Sequence, residues 1–297
     1  MKNNTRELVI FSGKTPLCII SILLCIIYVL ALFSNEQRYT LHKTNQGLWM
    51  ILITNDLISE DIKTYGVWEP EVTNYLIKNI KPHETIIEVG ANIGYYTVLM
   101  AKLVSPSGRI YSYEANGEAY DLANLSLNIN GLSEIVKLKN MGILDKTGNA
   151  ILSHEQSNIH SFLMTNIGAT HIVPTKDNCG LKKNIRTVSL DEDLSGLKNV
   201  DWLKMDIEGS ELLALRGAKR IISSSPNLKI VMEWSPRMLM NFGSVSDLID
   251  LLHGYGFKFY EIEENGILGE EIPKPRLLEF RDLNLALLRN RKSNPRQ

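Results

Sequence analysis

Cysteine is scarce in this chain: Cys18, Cys25 and Cys179 are the whole complement. The first two sit in an apolar run and the third stands alone in the polar part. No intramolecular disulfide framework and no cysteine-rich zinc site can be built from them, and their scarcity leaves the redox compartment open. Charge of one sign is missing as well. With 32 basic against 33 acidic residues the formal net charge is −1, which excludes wholesale electrostatic binding to nucleic acid. The basic residues at the C-terminal end (Arg289, Arg291, Lys292, Arg296) read as a frayed tail. Internal repeats and low-complexity tracts are lacking too. What remains, 297 residues of which 44% are hydrophobic and 22% charged, suffices for one sizeable core with a small appendage.

One long apolar run stands out. Residues 17–33 (LCIISILLCIIYVLALF) carry no charge and no helix breaker, and Pro16 precedes them at a favourable first-turn position. As a helix the run spans roughly 26 Å at about 1.5 Å per residue, close to the ~27 Å core of an early secretory membrane. Lys2, Arg6 and Lys14 precede it against Glu7 alone, so the positive-inside rule places a tail, 1–16, in the cytosol. The expectation is a signal-anchor at 17–33, making the chain a single-pass protein of an endomembrane or a bacterial inner membrane with the lipid bilayer as a partner. Cleavage at Val29-Leu-Ala31, giving a secreted protein, is the alternative.

Residues 34–70 read as a linker with a small strand pair, in which Tyr65 and Trp68 are expected to pack against the sheet. The main domain is placed at 71–297, opening on a lead-in helix over 71–80 that Pro82 ends. Next comes Thr85-Ile-Ile-Glu88-Val-Gly90-Ala-Asn92-Ile-Gly94-Tyr95, a β-branched run, a glycine turn and then helical spacing. That is the opening strand–turn–helix unit of a nucleotide-cofactor fold. Its glycines permit unusual dihedrals and close approach, and the helix start offers unpaired amides. Further strands are expected at 109–113, 135–138, 200–205, 228–232, 257–262 and 284–288, with helices at 119–129, 212–222 and 245–252. The stretch 142–189 reads as hairpins and loops. Such alternation predicts a doubly wound, mostly parallel α/β sheet, its last two strands pairing as an antiparallel edge.

Four predicted strands end in, or run straight into, a carboxylate: Glu88, Glu114, Asp206 and Glu233. In doubly wound sheets the ligand binds at the carboxyl ends of the strands. Four acids on one rim repel one another without a cationic ligand. A dinucleotide site must instead accept a pyrophosphate. S-adenosylmethionine carries an ammonium, a sulfonium and one carboxylate. Glu88 suits its ammonium side, the helix start near Gly94 its carboxylate, and Glu114 its two ribose hydroxyls.

The segments IIEVGANIGYYTVLMAK, YSYEAN and DWLKMDIEGSELLALRGA occur in this order. Together with PNLKIVMEWSP and GYGFKFYEIEENG they resemble the FkbM family of S-adenosylmethionine-dependent methyltransferases over roughly residues 56–290. The resemblance implies a Rossmann-like class I methyltransferase fold and methyl transfer to a hydroxyl of a sugar, glycan or secondary metabolite. It implies a cofactor site at Glu88, Gly90, Ala91, Asn92, Gly94, Tyr95, Glu114, Asn116 and Met141. Two departures are present: Ala115 replaces the family's usual proline, and the loop Asn140-Met-Gly-Ile143 has no acid for the adenine amino group, leaving Met141 to pack there or in the core. An alcohol needs a base or a metal to become nucleophilic, and Asp206 and Glu208 are the catalytic candidates. Glu211 reads equally as part of the site and as a helix cap. Asp206 and Glu233 are candidate ligands for magnesium. His154, His160 and His171 lie in the irregular segment and read as solvated. The competing readings are a non-catalytic methyltransferase-like binding protein and a nicotinamide-dependent oxidoreductase or epimerase. The chain lacks a Tyr-x-x-x-Lys pair on a predicted helix, which the latter would use.

Overall fold

The computed structural model describes residues 38–154, 170–173, 181–279 and 281–289. The chain divides into a short unit, 1–40, and a compact unit, 41–297. Strands β1 (Tyr39–Lys43) and β2 (Trp49–Ile53) form a two-stranded sheet, and the helices α1 (Leu57–Tyr65) and α2 (Pro70–Asn79) follow. Asp56 caps α1 by accepting the Ser59 N–H at 3.0 Å, and Gly66 ends it in the left-handed conformation (φ 70°). Helix α1 went unread in the sequence because its apolar face is short. Tyr65, expected to pack on the sheet, is 65% exposed.

The main sheet has eight strands. Around it run β3 (Thr85–Val89), α3 (Tyr95–Val104), β4 (Arg109–Glu114), α4 (Gly117–Ile129) and β5 (Val136–Asn140). After an insertion come β10 (Trp202–Met205), β11 (Lys229–Trp234), β12 (Phe257–Glu263), β13 (Ile267–Glu271) and β14 (Leu283–Arg289). The spatial order is β13-β12-β14-β11-β10-β3-β4-β5, with β5, β4, β3, β10 and β11 mutually parallel. Chain order reverses between β3 and β10, which is where such sheets open a crevice. Strand β14 lies antiparallel between β11 and β12 rather than at the edge. That edge is β13, a partner not predicted from the sequence because its Ile-Leu-Gly-Glu-Glu is short and has no alternation of apolar and polar residues.

The insertion folds as a second sheet of β6 (Gly142–Ile143), β7 (Gly148–His154), β8 (Thr170–Val173) and β9 (Leu181–Val188), in the order β6-β9-β7-β8. The single helix expected at 212–222 is two, α5 (Glu211–Arg216) and α6 (Lys219–Ser224). A Cβ on Gly217 would lie 2.3 Å from the Leu144 carbonyl, and the Gly217 carbonyl accepts the Asp191 N–H at 2.9 Å, so the insertion's root interrupts the helix there. Strands β3 and β10 are buried along almost their whole length, each with one buried ionisable residue, Glu88 and Lys204, among apolar neighbours. Their side chains join Leu212, Ile222, Trp234 and Phe259 in the core.

The membrane expectation is corrected. Among the described residues no helix is long and apolar enough to cross a membrane. The longest, α4, has 13 residues, about 20 Å of helix against roughly 30 Å of hydrocarbon. The expected span, 17–33, lies outside the described residues. The membrane-anchored fold and function, the bilayer partner and the single-pass location therefore drop out of the reading.

Two glycines fix the crevice. Gly90 (φ +87°) carries its missing Cβ 1.8 Å from the Asp206 carbonyl, and Gly94 (φ +89°) carries its own 2.7 Å from Ala123 of α4. Gly90→Ala is expected to destabilise the fold by about 2–5 kcal/mol, through the left-handed backbone and the clash together. A urea denaturation midpoint equal to that of the parent protein would contradict this.

Candidate active site

At the switch point a cavity of about 340 Å³ is lined on one side by Gly90–Ile93, Tyr95, Glu114, Ala115 and Met141–Ile143. On the other side stand Leu57, Trp68, Glu69, Lys204, Asp206–Glu208 and Glu233. The turn after β3 is closed upon itself. Gly90 and Ala91 donate their N–H groups to the Tyr113 carbonyl (2.9 and 3.0 Å), and Gly94 donates to the Ala91 carbonyl (2.9 Å). Asn92, in the left-handed conformation (φ 51°), donates its N–H to Glu114 Oε2 at 2.6 Å. Ile93 donates to the Asn92 side chain at 2.7 Å. Each amide of the turn thus has a protein acceptor, and the turn does not present the bare N–H cradle that binds a pyrophosphate.

Glu114 is clamped from both sides, because the Asn116 N–H donates to its Oε1 at 2.7 Å. Burial raises its pKa to about 7 against the lowering effect of these two backbone bonds. Each oxygen retains a lone pair for a hydroxyl donor. Asn116 does not line the cavity. Its side chain caps α4 by accepting the Glu118 N–H at 3.0 Å, and its contribution to the site is the clamp. Met141 lines the cavity and packs on the core, so the two readings of it coexist.

Glu88 is placed differently from the expectation. It is fully buried under the turn, not in the cavity lining. Its Oε2 accepts from Thr97 Oγ1 and Ser112 Oγ at 2.6 Å each, while Oε1 has no partner. Desolvation pushes its pKa up, opposed first by Lys204. Gly94 likewise serves helix packing and is absent from the lining.

The far end of the cavity is acidic. Asp206, Glu208 and Glu233 bring carboxylate oxygens within 4.8 Å of one another, an all-oxygen set able to hold a divalent ion. Burial raises Glu233 to about 8, helped by the nearby Asp206, Glu211 and Glu69 carboxylates. Glu211 turns back to accept the Ile207 N–H at 3.2 Å and so caps the turn, with its pKa raised to about 7 by burial. Of the three histidines, His160 lies outside the described residues; His154 and His171 fall in β7 and β8 of the insertion.

Sequence reasoning missed two residues here. Lys204 is buried, with Nζ 3.3 Å from Asp206 Oδ2 and 4.6 Å from the centre of the Tyr96 ring. The signal was a lone lysine in an otherwise apolar strand, Trp202-Leu-Lys-Met205. Glu69 faces the cavity from the residue before α2, and Trp68 lines it instead of packing only on the sheet.

A doubly wound sheet with an acidic switch-point crevice and a clamped carboxylate after its second parallel strand defines a class I methyltransferase fold that uses S-adenosylmethionine. Residues 88–259 match the methyltransferase FkbM domain. That is more than half of the 297 residues, so the chain belongs to the FkbM methyltransferase family. Methyltransferase sdnD of Sordaria araneosa is 24% identical over 193 residues, 54% of this chain and 71% of that protein. The protein-L-isoaspartate O-methyltransferase of Aeropyrum pernix is 36% identical over 58 residues, 20% of this chain and 22% of its own length. The crystal structure of an S-adenosylmethionine-dependent O-methyltransferase from Thermotoga maritima superposes with a TM-score of 0.42 at 15% identity, covering 88% of this chain and 81% of that one.

Glu114, Glu211 and Glu233 all bind a proton more tightly when folded than at their ordinary value of 4.5. Between about pH 4.5 and 8 the folded state therefore holds more protons than the unfolded chain, and stability falls as pH rises through that window. Thermal melts of the ligand-free protein are expected to show a lower midpoint at pH 8 than at pH 5.5. Glu233→Gln should flatten the upper part of that decline; a pH-independent midpoint in the parent protein would contradict the assignment.

Proposed function

We propose that this protein transfers a methyl group from S-adenosylmethionine to a hydroxyl oxygen of a small-molecule or glycan acceptor. The observation that carries the reading is Glu114, clamped by the Asn92 and Asn116 amides with its free lone pairs toward the cavity. The donor set suits the cofactor. Glu114 would accept the two ribose hydroxyls, Met141–Ile143 would offer an apolar wall to the adenine, and the carboxylates at the far end would stabilise positive charge.

When bound, the cofactor supplies an electrophilic methyl group on a sulfonium sulfur. The remaining work, aligning the acceptor oxygen and removing its proton, falls to this chain's own side chains. Asp206 and Glu208 are the residues assigned to it. The acceptor's hydroxyl proton would pass to one of these carboxylates as its oxygen takes the methyl group that the cofactor would supply. Lys204 holds Asp206 in place from below. Asp206, Glu208 and Glu233 would hold a divalent ion, which as a Lewis acid eases loss of a hydroxyl proton.

Calorimetric titration tests the cofactor assignment. S-adenosylmethionine is expected to bind the parent protein, and Glu114→Gln to weaken it by about 1.5–3 kcal/mol, the value of hydrogen bonds to a charged group. NADH should not bind. A folded protein that takes NADH and ignores S-adenosylmethionine would sink the proposal.

A further inference from the structure

We propose that Glu69 is an acceptor-binding residue, which takes a hydrogen bond from a second hydroxyl of the acceptor and so selects polyhydroxylated acceptors over simple alcohols. The inference rests on the methyltransferase reading above and adds a residue to it.

Glu69 occupies the N-cap position of α2, yet its side chain makes no capping bond. Pro70, at the first helical position, already removes one of the amides a cap would serve. The backbone at Glu69 is left-handed (φ 38°, ψ 76°), a conformation unfavourable to a residue with a Cβ. The side chain turns instead into the cavity, where two walls grip it. Tyr96, buried in the helix after the glycine turn, donates its hydroxyl to Glu69 Oε2 at 2.7 Å. Asn284 of β14 donates Nδ2 to Glu69 Oε1 at 3.0 Å. Asn284 stands opposite Glu233 in the β11–β14 register, so the grip comes from the strand that flanks the acidic end.

The Glu69 side chain gives the helix no capping hydrogen bond in this arrangement. A strained backbone and a mostly buried carboxylate next to the like-charged Asp206 are both unfavourable to folding. The two grips use neutral donors, one per oxygen, and fix the carboxylate while leaving each oxygen a lone pair. Trp68 beside it offers an apolar surface to the same end of the cavity. One acceptor hydroxyl placed at Asp206 and Glu208 for methylation, with another donated to Glu69, fixes the acceptor's orientation through two points.

The test uses the full chain and labelled-methyl S-adenosylmethionine. The acceptor probes are methyl α-D-mannopyranoside and methyl β-D-glucopyranoside, with cyclohexanol as the single-hydroxyl control. Transfer to at least one glycoside and not to cyclohexanol is expected. Glu69→Gln and Glu69→Gly should each lower transfer efficiency about tenfold or more, the size of one charge-assisted hydrogen bond, with the affinity for S-adenosylmethionine within about twofold of the parent. Glu69→Gln should melt at or above the parent temperature, since it removes a repelled charge while its amide still offers partners to the Tyr96 hydroxyl and Asn284. A purely structural Glu69 gives the opposite signature, in which melting temperature and cofactor affinity fall together with transfer; that result overturns the proposal. So does undiminished transfer by either variant, equal methylation of cyclohexanol, or a parent protein that binds the cofactor and methylates neither glycoside. Failure of the parent to bind S-adenosylmethionine overturns the methyltransferase reading instead.

Discussion

The close approach of β3 and β10 at their carboxyl ends is the constraint on which the site depends. The Asp206 N–H donates to the Val89 carbonyl at 3.0 Å, and the Asp206 carbonyl fills the place where a side chain at position 90 would begin. Only glycine permits both contacts at φ +87°. This single junction brings together the two halves of the crevice. On the β3–β4 side it sets the turn whose Asn92 amide grips Glu114. On the β10 side it sets the level at which Asp206, Glu208 and Lys204 meet Glu233 of the neighbouring strand. Gly90 thus acts as the point of closest packing between two strands, and its freedom from a side chain is used by the protein's own backbone.

Beneath that junction lies a buried electrostatic cluster with one fixed cation. Lys204 pairs across the sheet register with Glu88, bonds Asp206 and rests on the ring of Tyr96, whose hydroxyl in turn holds Glu69. Burial alone would drive the lysine toward neutrality, but the carboxylates around it raise its pKa. The reverse holds for Glu88 and Glu69, where desolvation outweighs the pull of the ammonium. Buried ion clusters of this kind contribute little net stability, because the cost of removing charges from water offsets their attraction. Their consequence here is orientation: the cluster dictates where each carboxylate at the cavity points.

Much of the fold was legible because two periodicities carried it. Buried parallel strands read as short apolar runs, and each ends close to a charged or glycine residue, as Glu88, Glu114, Asp206 and Glu233 show. What escaped was set by contacts distant in sequence. Gly217 is an ordinary helical glycine until Leu144 is packed on it, and β13 is a pentapeptide without alternation until β12 pairs with it. Glu69 and Glu88 were both visible as acids, but their burial was not. One lies in the cavity wall, and the other lies under its floor, held by Thr97 and Ser112. The apolar run at 17–33 pointed to a span by composition and length; it lies outside the described residues, among which no helix is long and apolar enough to cross a membrane.

The fate of the turn's amides decides what kind of nucleotide the crevice can hold. A glycine turn between a strand and a helix is shared by dinucleotide sites and by methyltransferases, so sequence spacing alone leaves the two open. In a phosphate site the backbone N–H groups stay free and converge on the anion. Here the amides from Gly90 to Gly94 are consumed by the Tyr113 and Ala91 carbonyls, the Asn92 side chain and Glu114. The polarity of the turn is thereby reversed: a carboxylate, fixed by a turn amide, is what faces the cavity, and the opposite wall adds Glu69, Asp206, Glu208 and Glu233 against the single ammonium of Lys204. A pyrophosphate would meet repulsion at both ends of such a crevice. A ligand with a neutral ribose at one end and positive charge at the other meets hydrogen-bond acceptors at the first and counter-charge at the second.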